Sequence, residues 1–179
     1  MSIQTREIPC RSGILGVITL DSPDTLNALS PALFRALQRQ LDIWADDDAI
    51  CLVLVYANGD RAFSAGADLS ELYGALASDS YVDPVRELFA PEYRMDYTLH
   101  TFPKPVITVA HGTTMGGGMG LLQASRYRLI TPDTVMAMPE ATIGLFPDAG
   151  ASWFLNRLPG SIGLFMGLTG ARMNASDAM

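Results

Sequence analysis

Two apolar runs, residues 50–56 and 106–110, each lead within a few residues to a turn built mostly of small side chains. The turns are Ser64-Ala65-Gly66-Ala67-Asp68 and Met115-Gly116-Gly117-Gly118-Met119-Gly120. This repeated order constrains the fold more than any other feature. A short, continuously apolar run suits a strand covered on both faces of a parallel or mixed sheet. Side-chain-poor backbone after such a strand leaves amide N–H groups accessible. Two such turns brought together offer two donors to one oxygen, the arrangement that stabilises an enolate or a tetrahedral oxyanion. The residues therefore point to acyl transfer or enolate chemistry.

The rest of the chain supports an α/β class. Residues 14–20 are rich in β-branched side chains and predict a strand. Ser30 predicts a helix cap, with Pro31 at the first helical position and Leu33, Leu37, Leu41 and Trp44 at helical spacing. Asp46-Asp47-Asp48 ends that helix as a solvated acidic run. Helices are expected over 69–77, 85–99, 118–124 and 151–158, and short strands over 127–130 and 134–137. Residues 78–84 are polar and irregular, and predict a loop. Strand and helix alternate, so crossover connections are expected. Ser176 reads as the N-cap of a further helix, which predicts a chain cut short at its C-terminus. Residues 1–179 read as one domain.

Composition removes several function classes. The net charge is −7, from 12 basic and 19 acidic residues, and no basic stripe is visible for nucleic acid. The N-terminal residues lack a basic-then-apolar leader pattern. No run approaches the roughly 20 apolar residues of a membrane span. Cys10 and Cys51 have no metal-ligand spacing and read as free thiols of a cytoplasmic protein. Ser64 lacks a G-x-S-x-G context, and the glycine-rich turn is not a phosphate-binding loop. His100 and His111 read as structural, and the nine methionines as core packing.

Several blocks together resemble the enoyl-CoA hydratase/isomerase (crotonase) superfamily. They are Asn27-Ala28-Leu29, Ala62-Phe63-Ser64-Ala65-Gly66-Ala67-Asp68, Pro103-Lys104-Pro105-Val106, the triplet Gly116-Gly117-Gly118, and Pro139-Glu140. The resemblance implies a crotonase-type ββα superhelix, an acyl-CoA substrate and a homo-oligomer, trimer or hexamer. It also implies a C-terminal helical region that these residues do not contain. CoA enters as part of the substrate, and no metal or other cofactor is implied. By position, the backbone N–H groups of Ala67 and Gly117 are the oxyanion donors. Ala65, Gly66, Asp68, Leu69 and Gly116, which flank them, are implied substrate contacts.

The hydratases of this superfamily use two glutamates, the first of them two residues after the glycine triplet. Gly120 stands there in this chain, which argues against hydration by that route. A closer resemblance is to the 3-hydroxyisobutyryl-CoA hydrolase branch, which acts in valine breakdown. It is carried by Met115 through Leu121, Met138-Pro139-Glu140, Ile143-Gly144-Leu145-Phe146-Pro147-Asp148, Glu92-Tyr93-Arg94, Leu158-Pro159-Gly160 and Leu168-Thr169-Gly170-Ala171-Arg172. That branch keeps the second glutamate, here Glu140, and adds an aspartate, here Asp148. The resemblance implies that Glu140, Asp148 and Glu92 face the acyl group. Glu140 either attacks the thioester carbonyl directly or activates a water, and the residues leave both routes open. Glu92 is a polar contact or a partner for Arg86 or Arg94. Paired carboxyls in one apolar pocket are expected to have pKa values pushed apart. The rival readings are a hydratase or isomerase with an altered acid/base pair, and a non-catalytic acyl-CoA-binding subunit.

Overall fold

The computed structural model describes residues 3–76 and 83–178. The chain opens with an antiparallel pair, β1 (Ile3–Cys10) and β2 (Gly13–Leu20). β1 was not expected from the sequence, because nearly all of its side chains are exposed and it carries no apolar alternation. Helix α1 (Pro31–Asp46) starts as predicted. Ser30 Oγ accepts from the Leu33 amide at 3.2 Å, and Leu33, Phe34, Leu37, Leu41 and Trp44 face the core. The acidic residues at its end are exposed. Lys104 Nζ donates to the carbonyls of Trp44 and Asp47, which satisfies acceptors that a helix end leaves open. One basic residue between two prolines thus ties α1 to the strand that follows them.

Three passes of one unit build the site's scaffold. In the first, β3 (Ile50–Ala57) leads to β4 (Ala62–Ser64) and α2 (Leu69–Leu76). Helix α3 (Pro84–His100) then crosses to the second pass, in which β5 (Val106–Ala110) leads to β6 (Thr113–Met115) and α4 (Gly117–Ala124). The third runs from β7 (Tyr127–Ile130) to β8 (Val135–Ala137) and a 3-10 turn at Glu140–Ile143. The first strands join a five-stranded sheet in the order β1-β2-β3-β5-β7, parallel except at β1. The second strands form another sheet, β4-β6-β8, parallel, closed by the antiparallel β9 (Met173–Asn174). This is the ββα superhelix that the resemblance implied. Met95, Met119, Met136 and Met138 lie in the core cluster, as expected of packing residues.

The differences from the sequence reading are local. The two small-residue turns follow β4 and β6, three-residue strands too short to show a pattern, and not β3 and β5 directly. The helix expected over 151–158 divides into α5 (Ala151–Phe154) and a 3-10 turn at Leu155–Arg157. Helix α6 (Ile162–Thr169) was not anticipated. Its side chains are apolar on all faces, Leu164, Phe165 and Leu168 are exposed, and so it has no amphipathic stripe to read. Ser176 is not a cap: Asn174 Oδ1 accepts from the amides of Ser176 and Asp177, so the capping oxygen lies two residues earlier and heads a turn. Of the loop expected over 78–84, residues 78–82 lie outside the described residues, and Pro84 already opens α3. Cys10 and Cys51 are free thiols. Among the described residues no helix is long and apolar enough to cross a membrane, and no group of His, Cys, Asp and Glu is placed to hold a metal.

Candidate active site

The first turn is fixed by the segment from Leu26 through Leu29. The Ala65 amide donates to Leu26 O at 2.9 Å, the Leu29 amide to Gly66 O at 2.8 Å, and the Asp68 amide to Leu29 O at 2.9 Å. Asn27 is buried with φ 52°. Its Nδ2 donates to the carbonyls of Asn58 and Ala62, and Ser64 Oγ donates to its carbonyl. Residues 66 and 68 thus turn their hydrogen-bonding groups toward Leu29. In extended backbone the intervening residue turns its own the other way, so the Ala67 N–H faces away from Leu29.

The second turn meets the first across glycine. Gly116 has φ 52°, a conformation that disfavours a side chain. A Cβ on Gly66 would stand 3.3 Å from the Gly117 nitrogen. Gly117 opens α4, where amides have no partner within the helix. Among the described residues, neither the Ala67 nor the Gly117 amide has an acceptor. Both line a cavity of about 150 Å³, together with Ala65, Gly66, Leu69, Glu92, Gly116, Glu140 and Asp148. The structure therefore brings together every expected site residue but one. Asp68 lies outside that lining, and its Oδ1 accepts from the Ser70 amide at the start of α2.

Carboxyl groups crowd this cavity. Glu140 heads its 3-10 turn and is buried, and its Oε1 stands 3.0 Å from where a Cβ on Gly116 would be. Its Oε2 has no hydrogen-bond partner among the described residues. Burial pushes its carboxyl up to about 7, with Asp148 adding to the rise. Glu92 is only 1% exposed, and its carboxyl lies where a side chain on Gly117 would have to go. Burial first, then the charges of Asp96, Asp148 and Glu140, push it up to about 9. Glu92 makes no ion pair with Arg86 or Arg94; among the described residues the one ion pair is Arg35 with Glu87. Asp148 is raised by burial, and the Tyr93 hydroxyl, donating to its Oδ2 at 2.7 Å, partly opposes that. The pKa values are thus all raised, chiefly by burial, and among the described residues no cation is paired with these groups to oppose it.

Asp96 was not anticipated. It lies one helical turn after Glu92 on α3, and the two carboxyls press against Gly120 and Gly117 of α4. Asp96 is 8% exposed, both of its carboxyl oxygens lack a partner, and burial followed by Asp148 raises it to about 8. The i, i+4 spacing of Glu92 and Asp96 within a helical pattern was the available signal. His100 is exposed, edge-on to Trp153, and His111 is half-buried; neither lines the cavity that holds the two amides.

Two acceptor-free amides lining one cavity with the Glu140 carboxyl can hold a developing oxyanion and attack or deprotonate next to it. A family model described as enoyl-CoA hydratase/isomerase matches residues 15–179, and the chain belongs to that family. Among curated relatives it is 40% identical over 167 residues to 3-hydroxyisobutyryl-CoA hydrolase, mitochondrial, of Xenopus tropicalis, covering 93% of this chain and 43% of that protein. The human protein of the same name is 39% identical over 167 residues, covering 93% of this chain and again 43% of the relative. The chain thus spans less than half the length of these curated relatives. Among solved structures, an enoyl-CoA hydratase from Rhodobacter sphaeroides 2.4.1 superposes with a TM-score of 0.90 at 41% identity, covering 98% of this chain and 51% of that one. A carnitinyl-CoA dehydratase from Mycobacterium thermoresistibile gives 0.90 at 33% identity, covering 98% and 50%.

Proposed function

We propose that this site hydrolyses a short 3-hydroxyacyl-CoA thioester, with 3-hydroxyisobutyryl-CoA the first substrate to test. One observation carries the reading. The acceptor-free amides of Ala67 and Gly117 share a cavity with Glu140, while Gly120 offers no carboxyl of its own. The amides hold the thioester oxygen as negative charge develops on it; removing one such donor typically costs about 10²–10³ in rate. Glu140 acts by one of two routes. In the first, its carboxylate oxygen bonds to the carbonyl carbon, the C–S bond breaks, CoA thiolate leaves, and water then cleaves the anhydride. In the second, Glu140 takes a proton from water, the hydroxide bonds to the carbonyl carbon, and the same C–S bond breaks. Asp148, steadied by Tyr93, orients the acyl group or the water. CoA is part of the substrate, and no metal or other cofactor is invoked.

A hydratase or isomerase is the second reading. Asp96 favours it, because its carboxyl lies against Gly120 and could serve beside Glu140 as the second acid. Thiol release followed with a thiol reagent separates the two: release from 3-hydroxyisobutyryl-CoA supports hydrolysis. Loss of enoyl absorbance from crotonyl-CoA without thiol release supports hydration. Binding with neither reaction leaves a non-catalytic acyl-CoA-binding subunit. We also propose a homo-oligomer, trimer or hexamer, which the exposed apolar side chains of α6 favour. A cytoplasmic location rests on the sequence alone; the curated relatives named above are mitochondrial by name.

A further inference from the structure

We propose that Asp96 determines specificity: with Asp148 it forms a paired-carboxyl receptor for a hydroxyl on the acyl chain. The inference rests on the acyl-CoA reading above and adds the residue that selects the hydroxylated substrate. Three observations carry it. The Asp96 oxygens would lie 3.0 and 3.1 Å from a Cβ on Gly120, so glycine at 120 leaves the carboxyl a place that a larger residue would occupy. Both oxygens are buried without a partner among the described residues, although buried polar groups are ordinarily paired. Asp96 and Asp148 also line one open cavity of about 700 Å³, walled largely by apolar groups such as Phe146, Trp153 and Phe154. Asp148 lines the smaller cavity as well, so it joins the two amides to this space.

The chemistry of a hydroxyl fits such a pair. Asp96 and Asp148 line the same cavity and the charge of Asp148 acts on Asp96, so the two do not both ionise readily; the pair retains a proton and offers one O–H donor and one carboxylate acceptor. A hydroxyl both donates and accepts, and meets both needs. An acyl chain without it would leave the buried Asp96 carboxyl unpaired, which is the basis of strong discrimination against a missing hydroxyl. A cation would suit the pair poorly while it holds that proton.

The test uses non-hydrolysable ketone analogues of 3-hydroxyisobutyryl-CoA and isobutyryl-CoA, with a methylene between carbonyl and sulfur. Binding to the full chain is measured by calorimetry, so the result does not depend on turnover. The wild type should bind the hydroxylated analogue at least about tenfold more tightly. Asp96→Leu should bring that preference below about threefold while affinity for the other analogue stays within about threefold. Asp96→Asn, close in shape and still able to donate and accept, should fold and give an intermediate preference. A wild type without preference overturns the proposal, as does an unchanged preference in either variant or an equal loss for both analogues. Thiol release in the same preparations reports on hydrolysis separately: a preference without thiol release keeps the receptor and removes the hydrolase, and binding of neither analogue removes both.

Discussion

The carboxyl oxygens of Asp96 stand 3.0 and 3.1 Å from the point where a Cβ on Gly120 would sit, and Ala149 Cβ stands 2.9 Å from it. Position 120 is therefore closed to a side chain by helix α3 on one side and by Ala149, in the turn before α5, on the other. Gly120→Ala should destabilise the chain by about 1–3 kcal/mol through overpacking. That outweighs the gain of roughly 1 kcal/mol in helix propensity. Chemical denaturation checks this, and in an Asp96→Ala background the loss should shrink. A stabilised Gly120→Ala variant would show that the contact is loose.

Glu140→Gln keeps the shape of the side chain and removes its capacity to attack or to take a proton. Turnover should fall by about 10²–10⁴ while acyl-CoA affinity changes little. Steady-state kinetics with a separate binding measurement checks this. Near-normal turnover would take Glu140 out of the mechanism.

Activity should rise with pH. Both proposed routes need Glu140 as a carboxylate, and burial holds its pKa at about 7. The active fraction therefore grows as pH increases through 7 and levels off above it. Tyr93→Phe removes the hydroxyl that donates to Asp148 Oδ2, so Asp148, already raised by burial, rises further. Where ionised Asp148 is needed, the acid limb of the profile should move to higher pH. A kcat/KM profile of both proteins reads the shift, and superimposable profiles would show that the ionisation of Asp148 does not matter.

Stability should fall over the same range. Glu92 goes from 4.5 to about 9 on folding, and Asp96 from 3.8 to about 8. The folded chain thus holds more protons than the unfolded chain between those limits. Each group's contribution is fully present below its unfolded value and is lost as pH rises through its folded value, with a slope of about 1.4 kcal/mol per pH unit within the window. Thermal unfolding should show Tm decreasing from pH 5 to 9, and the double variant Glu92→Gln, Asp96→Asn should flatten the curve. A flat curve in the wild type would contradict the buried, unpaired state of these two acids.

The order of apolar run, small-residue turn and helix made an α/β fold and two amide-bearing turns legible, while the superhelix and the assignment of Ala67 and Gly117 as the donors came from the family resemblance. Those features are local and periodic. Ser30, Pro31 and the Leu33-to-Trp44 stripe marked α1 for the same reason. What was not legible depends on juxtaposition. β1 is exposed and is a strand because β2 supplies its partner. α6 is apolar on every side, so its faces are not distinguished by pattern. Asp96 sits in an ordinary helical stretch, and only the approach of α3 to the glycines of α4 sets its carboxyl against Gly120. Asp68 is the converse case: the resemblance implies a substrate contact there, and its side chain instead accepts from the Ser70 amide.

The most direct measurement is a crystal structure of the chain with the ketone analogue of 3-hydroxyisobutyryl-CoA. The expected result is the analogue's carbonyl oxygen within about 2.7–3.2 Å of the amide nitrogens of both Ala67 and Gly117, with the Glu140 carboxyl facing the carbonyl carbon. A carbonyl held by one amide or neither, or approached by a different carboxyl, would contradict it.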